Sequence, residues 1–328
     1  MNIGLIGYGY WGPNVAKNAF NNKKLKLHTI CDKNQLRLNK AKEIYQQQCK
    51  YESDYKTLIG NPEIKCIAIA VETSSHYQIA KDALLSGKHV YIEKPFTSTI
   101  EQAKELDAIG KEKGLVIHVD HIMIFHPIIR KIKSLLDAGD LGDLIFIDSM
   151  RLNLGQIKKD VSAMWDLAVH DLAIIDYISN GKIPHYINAV GEKFYNPRES
   201  LVFLTLRYEN FIAHIQSSWI SPLKERRIII AGTKKMAVYD DMKTTEKLMI
   251  YDKGVTVVSG ENIEYADYVV KTREGDVWSP FVPQEDALFN SIEYFRDCVI
   301  KNMPSSSGPE QAIRLANILN NADINMNQ

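Results

Sequence analysis

The stretch Asn2–Phe20, NIGLIGYGYWGPNVAKNAF, decides the fold. Asn2–Ile6 is a short apolar run that reads as a strand, and Trp11–Phe20, with Val15, Ala16, Ala19 and Phe20 apolar, reads as a helix. Between them lies Gly7-Tyr8-Gly9-Tyr10-Trp11-Gly12, three glycines at the spacing of a dinucleotide-binding turn. Gly7 permits the tight turn, Gly9 lets the backbone approach a pyrophosphate, and Gly12 lets strand and helix pack closely, with the helix N-terminus facing the anion. Pro13 falls in the first helical turn, where a missing N–H costs nothing. A glycine-rich turn with no ligand is the alternative, and strand, turn and helix in register at the start of the chain weigh against it.

Working outward, Lys26–Asp32 reads as a second strand that ends on an acid about twenty residues beyond Gly12. There a carboxylate accepts hydrogen bonds from ribose hydroxyls and repels a 2′-phosphate. Asp32 therefore favours NAD(H), while Lys33 beside it softens the repulsion and leaves NADP(H) open. An exposed strand end or helix cap is the plainer reading of Asp32.

Strands Ile64–Val71, His89–Ile92 and Leu115–Val119 alternate with helices Ser75–Ser86, stopped by Gly87, and Ser98–Lys113, stopped by Gly114. Such alternation implies βαβ crossovers, so residues 1–120 are expected to form an α/β, doubly wound Rossmann domain with a parallel sheet. Residues 121–328 read as a second, α+β domain for substrate binding and oligomerisation. Helices Pro127–Ala138 and Trp165–Ser179 flank the strand Leu144–Leu152 there. Strands Tyr186–Phe194, Ser200–Tyr208, Ile212–Trp219, Arg226–Ala231 and Lys235–Asp240 follow, with a hairpin turn at Glu209-Asn210. They predict a largely antiparallel open sheet. Two helices, Pro283–Lys301 and Pro309–Ala322, close the chain, with the C-terminal helix free to pack back on the first domain.

Composition narrows the function classes. Among 328 residues, 40 Lys+Arg balance 40 Asp+Glu, so a bulk electrostatic partner such as nucleic acid or an anionic membrane is not expected. Apolar runs such as Cys66–Val71 are far too short to span a bilayer. No leader-like segment opens the sequence, which points to the cytoplasm. Cys31, Cys49, Cys66 and Cys298 form no Cys-x-x-Cys pair and read as buried reduced thiols.

Two constellations carry chemistry. Glu93-Lys94-Pro95 closes the fourth strand read here, and parallel sheets bind ligands at the carboxyl ends of their strands, so Lys94 is delivered to the edge that holds the glycine turn. A desolvated lysine can exchange a proton near neutral pH and hydrogen bond a carbonyl oxygen. A surface lysine before a turn is the ordinary alternative. In Trp165-Asp166-Leu167-Ala168-Val169-His170, Asp166 and His170 are four apart and share a helix face. A carboxylate beside an imidazole fixes its tautomer for acid/base work. Metal is the competing reading, but no third and fourth ligand is evident, and the cluster His118, His121 and His126 has only Asp120 beside it. No metal is expected.

Taken together, GYGYWG, VETSSH at Val71–His76, IEKP at Ile92–Pro95 and the Asp-x-x-x-His helix resemble the glucose-fructose oxidoreductase, inositol dehydrogenase and rhizopine-catabolism (Gfo/Idh/MocA) family. The resemblance covers the whole chain. It implies an NAD-dependent dehydrogenase acting on CH–OH groups, with Lys94, Asp166 and His170 catalytic, and with Val71, Glu72, Thr73, His76 and Glu93 lining the cofactor cleft together with the glycine turn, Tyr10 and Trp11. Ser53–Tyr55 would approach the adenine. The stretch Arg151–Ile174 resembles a subgroup associated with nucleotide-linked sugars of surface polysaccharides, and marks Arg151, Asn153, Asp160 and Trp165 as substrate contacts. There Arg151 would clamp an anionic group, unless it ends its strand in a surface ion pair. The family also implies a homodimer or homotetramer paired through the second sheet. Cyclitol or small-ketone oxidation, a self-recycling sugar transhydrogenase and a non-catalytic NAD-binding regulator are the alternatives.

Overall fold

The computed structural model describes residues 1–326 except Gln156, Asp160, Asn196 and 259–268. It divides into two units, Met1–His126 with Glu285–Asn317, and Pro127–Gln284 with Ile318–Gln328.

The first unit is a six-stranded sheet in the order β3-β2-β1-β4-β5-β6, every pair parallel. Its strands are β1 (Asn2–Ile6), β2 (Lys26–Cys31), β3 (Lys50–Glu52), β4 (Cys66–Ile69), β5 (His89–Ile92) and β6 (Ile117–Val119). Successive side chains on a strand face opposite ways. Ile3 and Leu5 accordingly enter one core with Val15, Ala16 and Ile30, while Ile6 enters the other with Ile67, Ile69, Leu84 and Leu106. The crossovers are α1 (Gly12–Asn21), α2 (Gln35–Tyr45), α3 (Tyr55–Gly60), α4 (Thr73–Leu85) and α5 (Ile100–Lys113). Asn34 caps α2 by accepting from Leu36 N and Arg37 N, and Thr99 caps α5 by accepting from Gln102 N.

A division at residue 120 misses what finishes this unit. Helix α8 (Ala287–Lys301) returns late in the chain and adds Leu288, Ile292, Phe295 and Cys298 to the β1 core. Gly87 and Gly114 do end their helices, both at positive φ.

The second unit is an eight-stranded sheet in the order β14-β13-β12-β11-β7-β10-β9-β8. Its strands are β7 (Leu144–Leu154), β8 (Tyr186–Glu192), β9 (Leu201–Arg207), β10 (Ile212–Ser218), β11 (Ile220–Gly232), β12 (Met236–Asp240), β13 (Leu248–Val258) and β14 (Val269–Trp278). The pairs are antiparallel except β10 with β7, which is parallel. The hairpin expected at Glu209-Asn210 joins β9 to β10. Helices α6 (Pro127–Asp137) and α7 (Val169–Ile178) pack on each other, and α7 buries Leu172, Ala173, Ile174 and Ile175. Helix α9 (Pro309–Met326) ends the described chain. Among the described residues no helix is long and apolar enough to cross a membrane.

Candidate active site

The three glycines of the first turn do different work. Gly7 sits at φ +97°, and a Cβ there would lie 2.3 Å from the Ala70 carbonyl oxygen; one on Gly12 would lie 2.1 Å from the Gly7 carbonyl oxygen. Those two positions are dictated by the protein's own backbone. Gly9 is not, because a Cβ there would meet only the Arg37 guanidinium, at 3.5 Å. The space above Gly9 is open toward a ligand, which fits the close approach of a dinucleotide diphosphate.

Asp32 holds this turn in place. Its carboxylate accepts from Tyr8 N at 2.7 Å and from Asn34 N at 2.8 Å, and Arg37 Nη1 lies 3.6 Å away. Lys33 turns elsewhere, to Glu72 at 3.2 Å, where a backbone hydrogen bond and the Lys33 ammonium hold the Glu72 carboxyl below its usual range. The cation that tempers Asp32 is thus Arg37, which the reading from sequence passed over although it lies only five residues on. Tyr10 is 96% exposed, while the Trp11 indole donates to Asp120 Oδ2 at 3.4 Å.

His76 corrects an expectation. It is buried, with Nδ1 2.9 Å from the Pro95 carbonyl and Nε2 3.1 Å from the Val71 carbonyl, so both ring nitrogens serve the protein. It ties the turn after β4 to the residue that follows Lys94, and burial lowers its pKa. Val71 and Thr73 are half-buried at that turn, and Glu72 is exposed. Tyr55 also departs from expectation, since its hydroxyl donates to Asp82 at 2.8 Å on α4, while Asp54 caps α3.

At the carboxyl end of β5, Glu93 and a half-buried Lys94 precede Pro95 across a cis peptide bond. The Glu93 carboxyl is hydrogen-bonded to Asp120 just beyond β6, and burial pushes both carboxyls above their ordinary range. Asp120 Oδ1 also accepts from the Tyr91 hydroxyl and, at 3.1 Å, from Ser291. Burial pushes the His118 and His121 imidazoles down to about 3, and the charge of Lys94 adds to the effect on His121. Both rings are neutral at physiological pH. The His121 ring nitrogens are buried and have no hydrogen-bond partner in the protein. These histidines do not gather as metal ligands, and among the described residues no group of His, Cys, Asp and Glu could hold an ion.

In the second unit Asp166 lies on a π-helical turn, Met164–Ala168, that runs straight into α7. Such turns are rare and concentrate at functional positions. Lys158 Nζ reaches Asp166 Oδ1 at 2.7 Å, and His170, one turn further on, has its Nδ1 buried. Arg151 differs from its expected role. Its Nε and Nη2 both donate to Asp171 at 2.9 Å, so the fork expected to clamp an anionic substrate group is occupied by a residue of the helix. The Trp165 indole donates to Asp323 Oδ2 at 2.7 Å, and Asn153 packs against Gly155, whose Cβ would fall 2.1 Å from the Asn153 amide nitrogen. Asp160 lies outside the described residues.

Comparison with known proteins follows this division of the chain. Residues 1–121 match the oxidoreductase family described as GFO_IDH_MocA, NAD-binding Rossmann fold, and residues 129–238 match the GFO/IDH/MocA C-terminal domain. The UDP-N-acetylglucosamine 3-dehydrogenase of Acidithiobacillus ferrooxidans is 27% identical over 306 residues, 93% of this chain and 90% of that protein. A crystal form of that enzyme superposes with a TM-score of 0.78 at 26% identity, covering 98% of this chain and 96% of the other. The inositol 2-dehydrogenase of Salmonella typhimurium is 21% identical over 69% of this chain and 66% of its own.

Proposed function

Because the chain belongs to the GFO/IDH/MocA family of NAD-binding oxidoreductases, we propose that it moves a hydride between NAD(H) and a ring carbon of a nucleotide-linked sugar. The observation that carries this reading is the similarity to a UDP-sugar dehydrogenase, which runs through both units rather than the cofactor unit alone. The open space over Gly9 and the placement of Glu93-Lys94 at the carboxyl edge of the same sheet support it.

Bound NAD supplies the hydride acceptor or donor. The turn Gly7–Gly12 receives its diphosphate and Asp32 its ribose hydroxyls. Lys94 hydrogen bonds the reacting oxygen and protonates it in the reductive direction. In the second unit His170 is the alternative general acid/base, with Asp166 orienting its imidazole. With Arg151 engaged by Asp171, Asn153 and Trp165 remain as substrate contacts on this unit.

The purified protein with NAD and UDP-N-acetylglucosamine is expected to change the nicotinamide absorbance, and free glucose and myo-inositol are expected to be poorer. Lys94→Ala and His170→Asn should keep NAD affinity and lose turnover by roughly 10²- to 10⁴-fold. Turnover of myo-inositol with none of any UDP-sugar would replace this reading by cyclitol oxidation, and NAD binding with no turnover at all would favour a regulator. Assembly is the second part of the proposal. Tyr186, Val190, Phe203 and Ile212 are exposed on one face of β8–β10 that they share with Asn188, Thr205, Arg207, His214 and Gln216, a partly apolar face suited to pairing with a second copy. A monomer in light scattering at micromolar concentration would contradict it.

A further inference from the structure

The first unit threads a row of polar side chains through an aromatic core. Ser305 Oγ is 2.8 Å from His118 Nδ1, His118 Nε2 is 3.0 Å from Ser291 Oγ, and Ser291 donates to Asp120 Oδ1 at 3.1 Å. Asp120 is hydrogen-bonded to Glu93, which precedes Lys94 and lies within reach of its charge. His118 and Ser291 are 0% exposed, Tyr91 1% and Asp120 2%. The His118 ring stacks on Tyr91 at 4.9 Å, with Phe125 and Phe295 rings at 5.3 and 5.8 Å. A polar row in such surroundings is costly, and apolar groups of the same shape would hold α8 against β6 at least as well.

The donors leave little freedom. Tyr91 and Ser291 each spend their one hydroxyl hydrogen on Asp120 Oδ1. With its hydrogen so placed, Ser291 Oγ, which also lies 3.0 Å from the Tyr91 hydroxyl, accepts from His118 Nε2–H, the tautomer that makes Nδ1 an acceptor. At the far end Ser305 Oγ accepts from Ser307 N at 3.1 Å, so its own hydrogen is free to go to His118 Nδ1. Every hydrogen in the row points from Ser305 toward Asp120. An imidazole in such a row takes a proton on one nitrogen as it releases one from the other. Ser305 is half-buried and lines a surface pocket of about 420 Å³ with Gly110, Ile117, Pro304 and Gly308, at the amino end of β6.

We propose that Glu93, Asp120, Ser291, His118 and Ser305 form a proton path between Lys94, at the carboxyl edge of the sheet, and water at the amino end of β6. The proposal rests on the reading of Lys94 as the group that protonates the reacting oxygen. When a ketone is reduced, hydride from NADH forms the C–H bond, Lys94 protonates the oxygen and the carboxyl pair returns one proton to Lys94. Each hydrogen of the row shifts by one bond toward Asp120, Ser305 takes one proton from water, and His118 is left with its hydrogen on Nδ1. Oxidation reverses each of these shifts from that Nδ1–H arrangement and releases one proton at Ser305.

The test is turnover of the full chain with NAD and UDP-N-acetylglucosamine in light and heavy water. Ser291→Ala, which breaks the row with almost no change of shape, should lower kcat by about 10-fold and raise the solvent isotope effect, with KM and NAD affinity unchanged. Ser291→Thr, which keeps a hydroxyl, should restore both. Wild-type kcat and isotope effect in Ser291→Ala would overturn the path. An activity-independent readout is imidazole nitrogen NMR. His118 should be neutral with its hydrogen on Nε2, and Ser305→Ala should slow exchange of that hydrogen with water by about 10-fold. An Nδ1–H tautomer, or unchanged exchange, overturns the path even where UDP-N-acetylglucosamine is not turned over, an outcome that by itself removes only the substrate reading.

Discussion

Arg151 and Asp171 in the second unit, and Glu93 and Asp120 in the first, are both buried pairs of ionisable groups, resolved in opposite ways. Arg151 and Asp171 keep full charges in a two-pronged hydrogen bond, with side chains 12% and 3% exposed. Glu93 and Asp120 carry like charge, so burial keeps at least one of them protonated and the pair shares a hydrogen bond. The ion pair needs no shared proton, because guanidinium keeps its own. The carboxyl pair exists only while it holds a proton. A fixed scaffold and a proton store are therefore built from the same residue types, and the partner alone decides which.

The largest way to separate the two behaviours is acid. His118 and His121, beside the carboxyl pair, titrate at about 3 in the folded chain against about 6.5 when unfolded. Between those values the unfolded state binds the extra protons, so stability is lost as pH falls below about 6.5, by on the order of 7 kcal/mol for the two rings by pH 4. Denaturant titrations across pH 4–7 check this, and His118→Phe should remove about half of the slope.

Next comes Asp171→Ala, which strands the Arg151 guanidinium in the core and should cost about 3–5 kcal/mol in urea unfolding. Arg151→Met with Asp171→Leu should recover most of it. A loss below about 1 kcal/mol in the single variant would show that water reaches the guanidinium. Third is Asp120→Asn. The raised carboxyls bind an extra proton in the folded chain, so they lose stability as pH rises above the ordinary carboxylate range, opposite in sign to the histidines. Removing one should steepen the net acid loss between pH 4 and 6.5 by up to about 1.4 kcal/mol per pH unit. The smallest effect belongs to Trp165→Phe, which takes one donor from the half-buried Asp323 carboxyl and should cost about 1 kcal/mol in thermal unfolding.

The parallel half of the fold was readable because its strands are buried on both faces and its glycines are dictated by backbone contact, as at Gly7 and Gly12. Helix α2 went unread because it buries only Leu38, Ala41 and Tyr45, leaving too weak an apolar stripe. Strand β14 escaped for a related reason: its residues Thr272–Trp278 are exposed on both faces, so no alternation marks it. The parallel pairing of β10 with β7 depends on partners about sixty residues apart, which no local period reports. At the candidate site, the family resemblance marked Lys94, Asp166 and His170, and the fold sets Lys94 just beyond β5 and Asp166 and His170 around the start of α7. The partners of Arg151, His76 and Asp120 were hidden because each lies on a different element, brought close only by folding.

The late arrival of α8 sets an order of events during synthesis. Leu288, Ile292 and Phe295 belong to the same core as Leu5 and Ile30, so the cofactor unit begun at the first residue waits for nearly three hundred more before that core is closed. Until then Ala16, Ala19 and Tyr91 face the solvent or a chaperone, and Asp120 lacks the hydroxyl of Ser291. A ribosome that stalls after the second sheet leaves behind an unfinished nucleotide unit. Competence to hold the dinucleotide thereby reports that α8 has been made.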